Sequence, residues 1–146
     1  MEMEVVFPGG KRVDANYKGF TIKTDQPVFS GGDNSAPAPF DLFLASIGTC
    51  AGIYVLGFCQ QRGISTDGIK IIQRMEMDPI KRGIGAITLE IQVPVEFPEQ
   101  YKDAVIRSAE LCAVKKYIQN PPRFEIYTKL VNGENIETTG SAIRSR

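Results

Sequence analysis

One stretch of the chain, residues 42–61, contains no charged side chain, and it constrains the fold more than any other feature. The stretch is long enough to cross a bilayer as a helix. It is interrupted by hydroxyl side chains and three glycines, however, and the charges of Asp41 and Arg62 close it at both ends. A central helix over about residues 39–62, covered on all sides by protein, explains this pattern better than a membrane span does. We therefore expect no membrane crossing.

The segments around this helix have the alternating apolar and polar pattern of strands. Short apolar segments separated by glycine turns predict a meander at the start of the chain. The predicted strands cover about residues 3–7, 12–16, 20–24, 69–77, 86–95 and 124–131.

A second helix is predicted between Pro98 and Pro121, two residues that suit a helix start and a helix stop. Its buried face consists of Tyr101, Val105, Ala109 and Cys112, which places Cys112 near the end of the helix. Strands, a long helix, two strands, a helix and a strand together indicate an α+β domain with segregated layers rather than a doubly wound sheet.

The chain contains no histidine, and this absence removes several classes of enzyme. A Ser-His-Asp triad, a Cys-His pair and an HExxH zinc site all need an imidazole. The three cysteines show no CxxC spacing, so we expect neither a metal nor another cofactor. A reactive cysteine would instead need a cation, such as Lys11 or Arg12, or a helix dipole to stabilise its thiolate.

Composition indicates a single cytoplasmic domain. The 146 residues suit one domain, which we place over residues 1–138, followed by a flexible tail over 139–146. Seventeen basic and seventeen acidic residues leave no net charge to attract nucleic acid or an anionic membrane. The odd number of cysteines, and Glu2 and Glu4 in place of a basic, apolar leader, argue against secretion.

Two motifs resemble those of a known family. The pair Gly31 and Gly32, the segment PAPFDL (37–42) and the segment GTC (48–50) resemble the part of OsmC/Ohr-type proteins that runs from a glycine pair through PxPxEL to GxC. The segment CAVKKYI (112–118) resembles the second motif of that family, which usually begins Cys-Pro-Val. The chain is thus similar to this family over most of residues 1–131, and closer to the broad OsmC-like group than to Ohr.

The resemblance implies an OsmC-like fold, with antiparallel sheets packed around a long central helix, and an intertwined homodimer with active sites at the interface. It also implies thiol-dependent reduction of organic hydroperoxides. Cys50 would attack the peroxide and become a sulfenic acid, Cys112 would condense with it to a disulfide, and an external dithiol would reduce the pair. The residues expected to line an apolar substrate pocket are Phe40, Phe43, Ile47 and Tyr54.

The charged positions differ from those of the peroxide-reducing members. Those members carry an arginine directly after an early glycine pair and a glutamate ten positions before the first cysteine. This chain has Lys11 and Phe40 at these places, with Arg12 and Asp41 each displaced by one residue. Nine residues of helix also put Asp41 at about 180° from Cys50.

Each charge therefore has two interpretations. Asp41 is either an active-site acid or a complement to the helix dipole. Lys11 or Arg12 is either the cation beside the thiolate or a charge on an exposed turn.

Two classes of function stay open. The first is a thiol peroxidase that prefers organic peroxides to hydrogen peroxide. The second is an OsmC-like dimer that binds a small apolar ligand or senses redox state without efficient turnover.

Cys59 lies about half a helical turn from Cys50, and we expect it to be a buried, inert thiol. Gly48 and Gly52 flank Cys50 and predict that another backbone or a ligand packs closely there.

Overall fold

The computed structural model describes residues 1–130 and 143–144, and its elements follow the predicted order. The strands are β1 (Glu4–Gly9), β2 (Arg12–Tyr17), β3 (Phe20–Ile22), β4 (Lys70–Asp78), β5 (Gly83–Gln92), β6 (Glu125–Ile126) and β7 (Ile143–Arg144). The helices are α1 (Pro39–Gln60), α2 (Lys102–Ala109) and α3 (Ala113–Gln119). Every strand pair is antiparallel, as an α+β domain with segregated layers requires.

The N-terminal strands form a separate three-stranded meander in the order β1-β2-β3. Large apolar side chains of this sheet remain exposed in the protomer, among them Val5, Phe7, Phe20 and Ile22. Exposed apolar side chains that cluster in this way are typical of interaction surfaces.

Helix α1 begins and ends within two residues of its predicted limits. Pro39 occupies the first helical position, and the carboxylate of Asp41 accepts a hydrogen bond from the N–H of Ala38 at 3.1 Å. After the helix, Gly63 takes the left-handed conformation with φ +63°, which is the glycine stop that the sequence predicted.

The expectation that protein covers α1 on all sides is wrong for one protomer. Only a stripe of the helix is buried, consisting of Ile47, Ala51, Val55, Phe58 and Cys59. By length and composition α1 is also the one helix of the described residues that could cross a membrane. The other faces of α1 are largely open in the protomer.

The core lies where α1 meets α2 and the β4–β5 ribbon. Val55, Phe58 and Cys59 of α1 pack there against Phe97 and Val105, and apolar side chains of both strands surround them. Gly48 and Gly52 allow this approach. In the protomer the side chains of β4 come nearest to them: a Cβ at Gly48 would stand 2.9 Å from Oε1 of Gln73.

The second predicted helix is broken in two, which corrects the sequence analysis. α2 ends at Ala109 and α3 begins at Ala113, so Cys112 is the N-cap of a new helix instead of the end of one. Its backbone is extended, with ψ 119°, and its sulfur accepts a hydrogen bond from the N–H of Lys115 at 3.4 Å. The burial of Cys112 was predicted correctly, since it is 1% exposed.

The last predicted strand, over residues 124–131, is shorter than expected. Only Glu125–Ile126 form β6, which pairs with β7. Apart from Ile143–Arg144, the tail predicted over residues 139–146 lies outside the described residues, and so does the turn considered at 132–133.

The loop between β3 and α1 is organised around one buried carboxylate. Asp25 is 1% exposed and accepts hydrogen bonds from the N–H groups of Gln26, Asp33 and Ser35 and from the hydroxyl of Ser35, at 2.7–3.1 Å. Its own N–H donates to the carbonyl of Pro37 at 3.3 Å. Asp25 therefore ties the loop together and connects it to the segment that starts α1.

This arrangement predicts a specific loss of stability in acid. The hydrogen bonds, those from Ser35 first, lower the pKa of Asp25 from 3.8 to about 2. Because the folded pKa lies below the unfolded one, the stabilisation is complete above pH 3.8 and is lost as the pH falls through about 2. We expect the urea midpoint of wild type to fall more steeply over this range than that of Asp25→Asn. Parallel pH curves for the two proteins would contradict the prediction.

Candidate active site

Two cysteines that are far apart in the sequence meet where α1 packs against α3. Cys50, half-buried in the middle of α1, faces the first residues of α3. The main-chain N–H groups of Val114 and Ala113 and the Cys112 thiol lie beside its sulfur. The Cys112 sulfur lies 3.9 Å from the carbonyl oxygen of Ile47, one turn before Cys50. The fold thus builds a paired-thiol site.

The surroundings move the pKa values of the two thiols in opposite directions. The N–H of Val114, with smaller contributions from the Cys112 thiol and the N–H of Ala113, lowers the pKa of Cys50 against the opposing effect of burial. Burial raises the pKa of Cys112, and the neighbouring Cys50 thiolate raises it further. The surroundings therefore favour the thiolate form at Cys50 and the protonated thiol at Cys112.

The opposite pKa shifts of Cys50 and Cys112 predict the order in which the thiols are alkylated. Because the thiolate is the reacting form, iodoacetamide at neutral pH should modify Cys50 at least about ten times faster than Cys112 or Cys59. Its rate at Cys50 should also reach a plateau at lower pH than that of a free thiol. Peptide mapping of a time course measures both. Equal rates at Cys50 and Cys112 would contradict the assignment.

Cys59 is a core residue, as expected. It is fully buried, and burial raises the pKa of its thiol, with a partial offset from the charge of Arg62. A thiol in this environment behaves as a small apolar side chain.

Asp41, the predicted active-site acid, lies on the side of α1 opposite Cys50. Asp41 caps the start of the helix and lines a groove together with Gly48 and Gly52, whereas Cys50 faces α3. Nine residues also separate the two along the axis by about 13 Å. Within one protomer the structure therefore does not bring Asp41 to the thiol pair, and its position matches the helix-capping interpretation.

The two predicted cations also lie apart from the thiols in the protomer. Lys11 and Arg12 are exposed where the β1–β2 turn leads into β2. Arg12 donates to the carbonyl of Gly9 at 3.3 Å, and the Lys11 stem lies beside Gly31. Neither is among the groups that shift the pKa of Cys50, and main-chain N–H groups stabilise the thiolate instead.

Two of the four predicted pocket residues share one cavity. Phe40 and Phe43 stack with ring centroids 5.6 Å apart and line an apolar cavity of about 340 Å³. Its other walls are Leu44, Ile84, Gly85, Ala86, Ile87 and Ile118. Phe43 is seven residues before Cys50, on nearly the same side of α1 and about 10 Å along its axis. Phe43 thus places one wall of the cavity about 10 Å along α1 from Cys50.

Ile47 and Tyr54 do not line that cavity. Ile47 is buried beneath the thiol pair, and Tyr54 is half-buried one turn beyond Cys50, where its carbonyl accepts a hydrogen bond from Ser108 at 3.0 Å. Their contacts in the protomer are packing contacts.

A larger groove of about 670 Å³ lies between β4 and the face of α1 opposite Cys50. Its lining is mostly apolar and includes Leu44, Val55, Ile69, Ile71 and Met75. Its volume is in the range of small-molecule sites.

A central helix, antiparallel sheets and a pair of neighbouring thiols with opposite pKa shifts define an α+β paired-thiol protein. More narrowly, the chain belongs to the OsmC-like protein family, whose family model matches residues 32–127. The resemblance that the sequence motifs indicated is therefore confirmed.

Solved structures confirm the fold. A protein from Psychrobacter arcticus 273-4, described as an osmotic stress induced and detoxification response protein, is similar with a TM-score of 0.65 and 22% identity, over 78% of this chain and 85% of the other. A Legionella pneumophila protein, described as an organic hydroperoxide resistance protein OsmC, has a TM-score of 0.51 and 17% identity, over 81% of this chain and 88% of the other. No curated protein sequence matches the chain significantly.

The sequence analysis missed the N–H donors of Ala113, Val114 and Lys115. Their position depends on the start of a helix at Ala113, and cysteine is not among the usual N-cap residues Ser, Thr, Asp and Asn. The local sequence therefore carried no recognised signal for this helix start.

Proposed function

We propose that the protein is a thiol-dependent peroxidase that reduces organic hydroperoxides through Cys50 and Cys112. The observation that supports this most is that Cys50 and Cys112 lie close enough to shift each other's pKa, with the pKa of Cys50 lowered and that of Cys112 raised. A peroxide needs a thiolate to attack it, and the resulting sulfenic acid needs a second thiol close by.

The proposed cycle has three steps. The Cys50 thiolate attacks the terminal peroxide oxygen, the O–O bond breaks, and the alkoxide takes a proton and leaves as an alcohol. The Cys112 thiol then attacks the Cys50 sulfenic acid, which forms the disulfide and releases water. An external dithiol finally reduces the disulfide by exchange and is itself oxidised to a disulfide.

The apolar cavity beside α1 supports an organic rather than an inorganic peroxide as substrate. Its walls at Phe40, Phe43 and Ile118 suit a hydrocarbon group, and Phe43 lies about 10 Å along α1 from Cys50, on nearly the same side of the helix. Hydrogen peroxide has no apolar part that could use this surface.

Family membership supports a general redox or stress-related role. The Legionella pneumophila relative is described as an organic hydroperoxide resistance protein, a redox protein and a regulator of sulfide bond formation. The specific peroxidase activity of this chain is our proposal.

Intact-mass analysis tests the peroxidase. The reduced protein is treated with one equivalent of cumene hydroperoxide or of hydrogen peroxide. We expect wild type to lose about two mass units as the disulfide forms, and to do so faster with the organic peroxide. Peptide mapping should show that this disulfide joins Cys50 to Cys112. Thiols that stay reduced for minutes under both peroxides would refute the proposal.

We also propose that the protein is a cytoplasmic homodimer in which a second copy, rather than lipid, covers α1. Support comes from the exposed faces of α1 and from the apolar side chains left open on the N-terminal sheet, such as Phe7 and Phe20. A partner could also bring Lys11, Arg12 or Asp41 to the thiol pair. Light scattering without detergent should give twice the chain mass of 16.1 kDa, and a mass of 16.1 kDa would refute the dimer.

A second candidate function is binding of a small apolar ligand, which the groove of about 670 Å³ between α1 and β4 favours. In that case an apolar fluorescent probe should bind, and Gly52→Leu, which puts a large side chain into the groove, should abolish binding without altering peroxide consumption. If Gly52→Leu leaves probe binding unchanged, the groove is not the binding site.

A further inference from the structure

One side chain of the β4–β5 ribbon is hydrogen-bonded to the main chain of α1. Nε2 of Gln73, in β4, donates to the carbonyl oxygen of Leu44 at 3.0 Å. The same nitrogen lies 3.6 Å from the sulfur of Met75, two residues further along β4. Gln73 is half-buried, so water competes less for its hydrogen bonds than at an open surface. The Gln73 amide therefore holds β4 against the first half of α1.

Gly48 leaves the Leu44 carbonyl open to this second donor. Four residues separate the two, so the N–H of Gly48 is the helical partner of that carbonyl. Because Cα–Cβ bonds tilt toward the start of a helix, a Cβ at position 48 would lie over the carbonyl. It would also stand 2.9 Å from Oε1 of Gln73. The glycine therefore makes room for the Gln73 amide.

The apolar cavity of about 340 Å³ lies between the same two elements. Apart from Ile118 of α3, its walls are three residues of α1 and four of β5: Phe40, Phe43, Leu44, Ile84, Gly85, Ala86 and Ile87. The register of the ribbon fixes β5 to β4, since Ile87 is paired with Met75, two residues after Gln73. The separation of the two walls therefore depends on how β4 is held on α1.

We propose that Gln73 is a positioning residue that holds the two walls of this cavity at the separation an organic peroxide needs, and so sets the preference for organic over hydrogen peroxide. The inference rests on the proposed function, because it concerns the same reaction and the same cavity. Gln73 does not line the cavity and acts through Leu44, which does. Hydrogen peroxide has no apolar part, so its reduction does not depend on these walls.

The kinetics of Gln73→Met test the proposal, because methionine keeps the length of the side chain and removes the N–H donors. We expect KM for cumene hydroperoxide to rise about tenfold, with kcat within about twofold of wild type, since a hydrogen bond between the walls is lost. The value of kcat/KM for hydrogen peroxide should also stay within about twofold. An equal loss with both peroxides would show a merely structural role and overturn the proposal.

Gln92→Met is the matched control. Gln92 follows Ile91, which packs against the core, so its side chain lies on the outer face of the ribbon, where its amide donates to Glu90 at 2.6 Å. The kinetics of this variant with both peroxides should match those of wild type. A rise in KM as large as that in Gln73→Met would overturn the proposal, because any loosening of the ribbon would then produce the effect.

Gly48→Ala tests the same contact from the side of α1. Its methyl group should push the Gln73 amide aside, at small cost because Oε1 ends a flexible side chain. KM for cumene hydroperoxide should rise as in Gln73→Met, and the double variant should be no worse than either single variant, because all three lose the same interaction. Additive effects would show that the two residues do not act through one hydrogen bond, and would overturn the proposal.

Binding of 2-phenyl-2-propanol separates this proposal from the peroxidase. This alcohol, the product of cumene hydroperoxide reduction, occupies the cavity without turnover. Titration of the reduced protein, followed by nuclear magnetic resonance, should move the amide signals of residues 84–87, with Kd about ten times higher in Gln73→Met. Equal Kd values, or signals that move elsewhere, would overturn the proposal. If the alcohol binds as expected but the thiols resist cumene hydroperoxide, the peroxidase is refuted and Gln73 positions a binding site.

Discussion

Replacing Cys50 by serine should lower the rate of cumene hydroperoxide consumption by at least about a thousandfold, because a serine hydroxyl is neither ionised nor nucleophilic at neutral pH. The N–H groups of Val114 and Ala113 lower the pKa of a thiol at this position, but they cannot ionise an alcohol to a useful extent. The measurement is peroxide consumption with excess dithiothreitol as the dithiol. Circular dichroism should show that the variant is folded.

Two further variants test whether the loss of peroxide consumption is specific to Cys50. Cys59→Ala removes the third thiol from the core and should retain turnover, although it should cost some stability. In the absence of dithiothreitol, Cys112→Ser should consume one equivalent of peroxide and stop at the Cys50 sulfenic acid, which dimedone traps. Retained turnover in Cys50→Ser, or its loss in a folded Cys59→Ala, would show that the active thiol has been assigned wrongly.

Gly32→Ala should be the most destabilising single-methyl change in the loop before α1. A Cβ at this position would stand 1.9 Å from the carbonyl oxygen of Gln26 and 2.9 Å from the carboxylate of Asp25. Neither can move easily, since one is backbone and the other accepts four hydrogen bonds. We expect the free energy of unfolding to fall by about 3 kcal/mol, as measured by urea denaturation.

Gly57→Ala is the matched control in α1. No atom lies within 4 Å of its Cβ position, and alanine favours the helix interior, so the free energy of unfolding should rise by about 0.5–1 kcal/mol. Unchanged stability in Gly32→Ala would show that the Asp25 loop is not packed as described. A loss in Gly57→Ala would show that a second copy of the chain packs against α1 at this glycine.

Much of the architecture follows from local sequence patterns. The uncharged stretch, with Pro39 before it and Gly63 after it, located α1 to within two residues, because helix limits depend on neighbouring residues. The positions of β4 and β5 also depend on neighbouring residues, so the alternation of apolar and polar side chains predicted where these strands lie. Counting angles around α1 also placed Asp41 opposite Cys50, where the structure has it.

The chemistry of the candidate site required the tertiary structure. The sequence motifs indicated Cys50 and Cys112 as a pair, but only the fold shows that Cys112 begins α3 and that the first N–H groups of this helix lie beside the Cys50 sulfur. A side-chain cation was predicted beside Cys50, because charged side chains can be identified directly in a sequence. Main-chain N–H groups are nearly the same in every residue, so no residue pattern encodes which of them reach a sulfur, and the packing of α3 against α1 decides it.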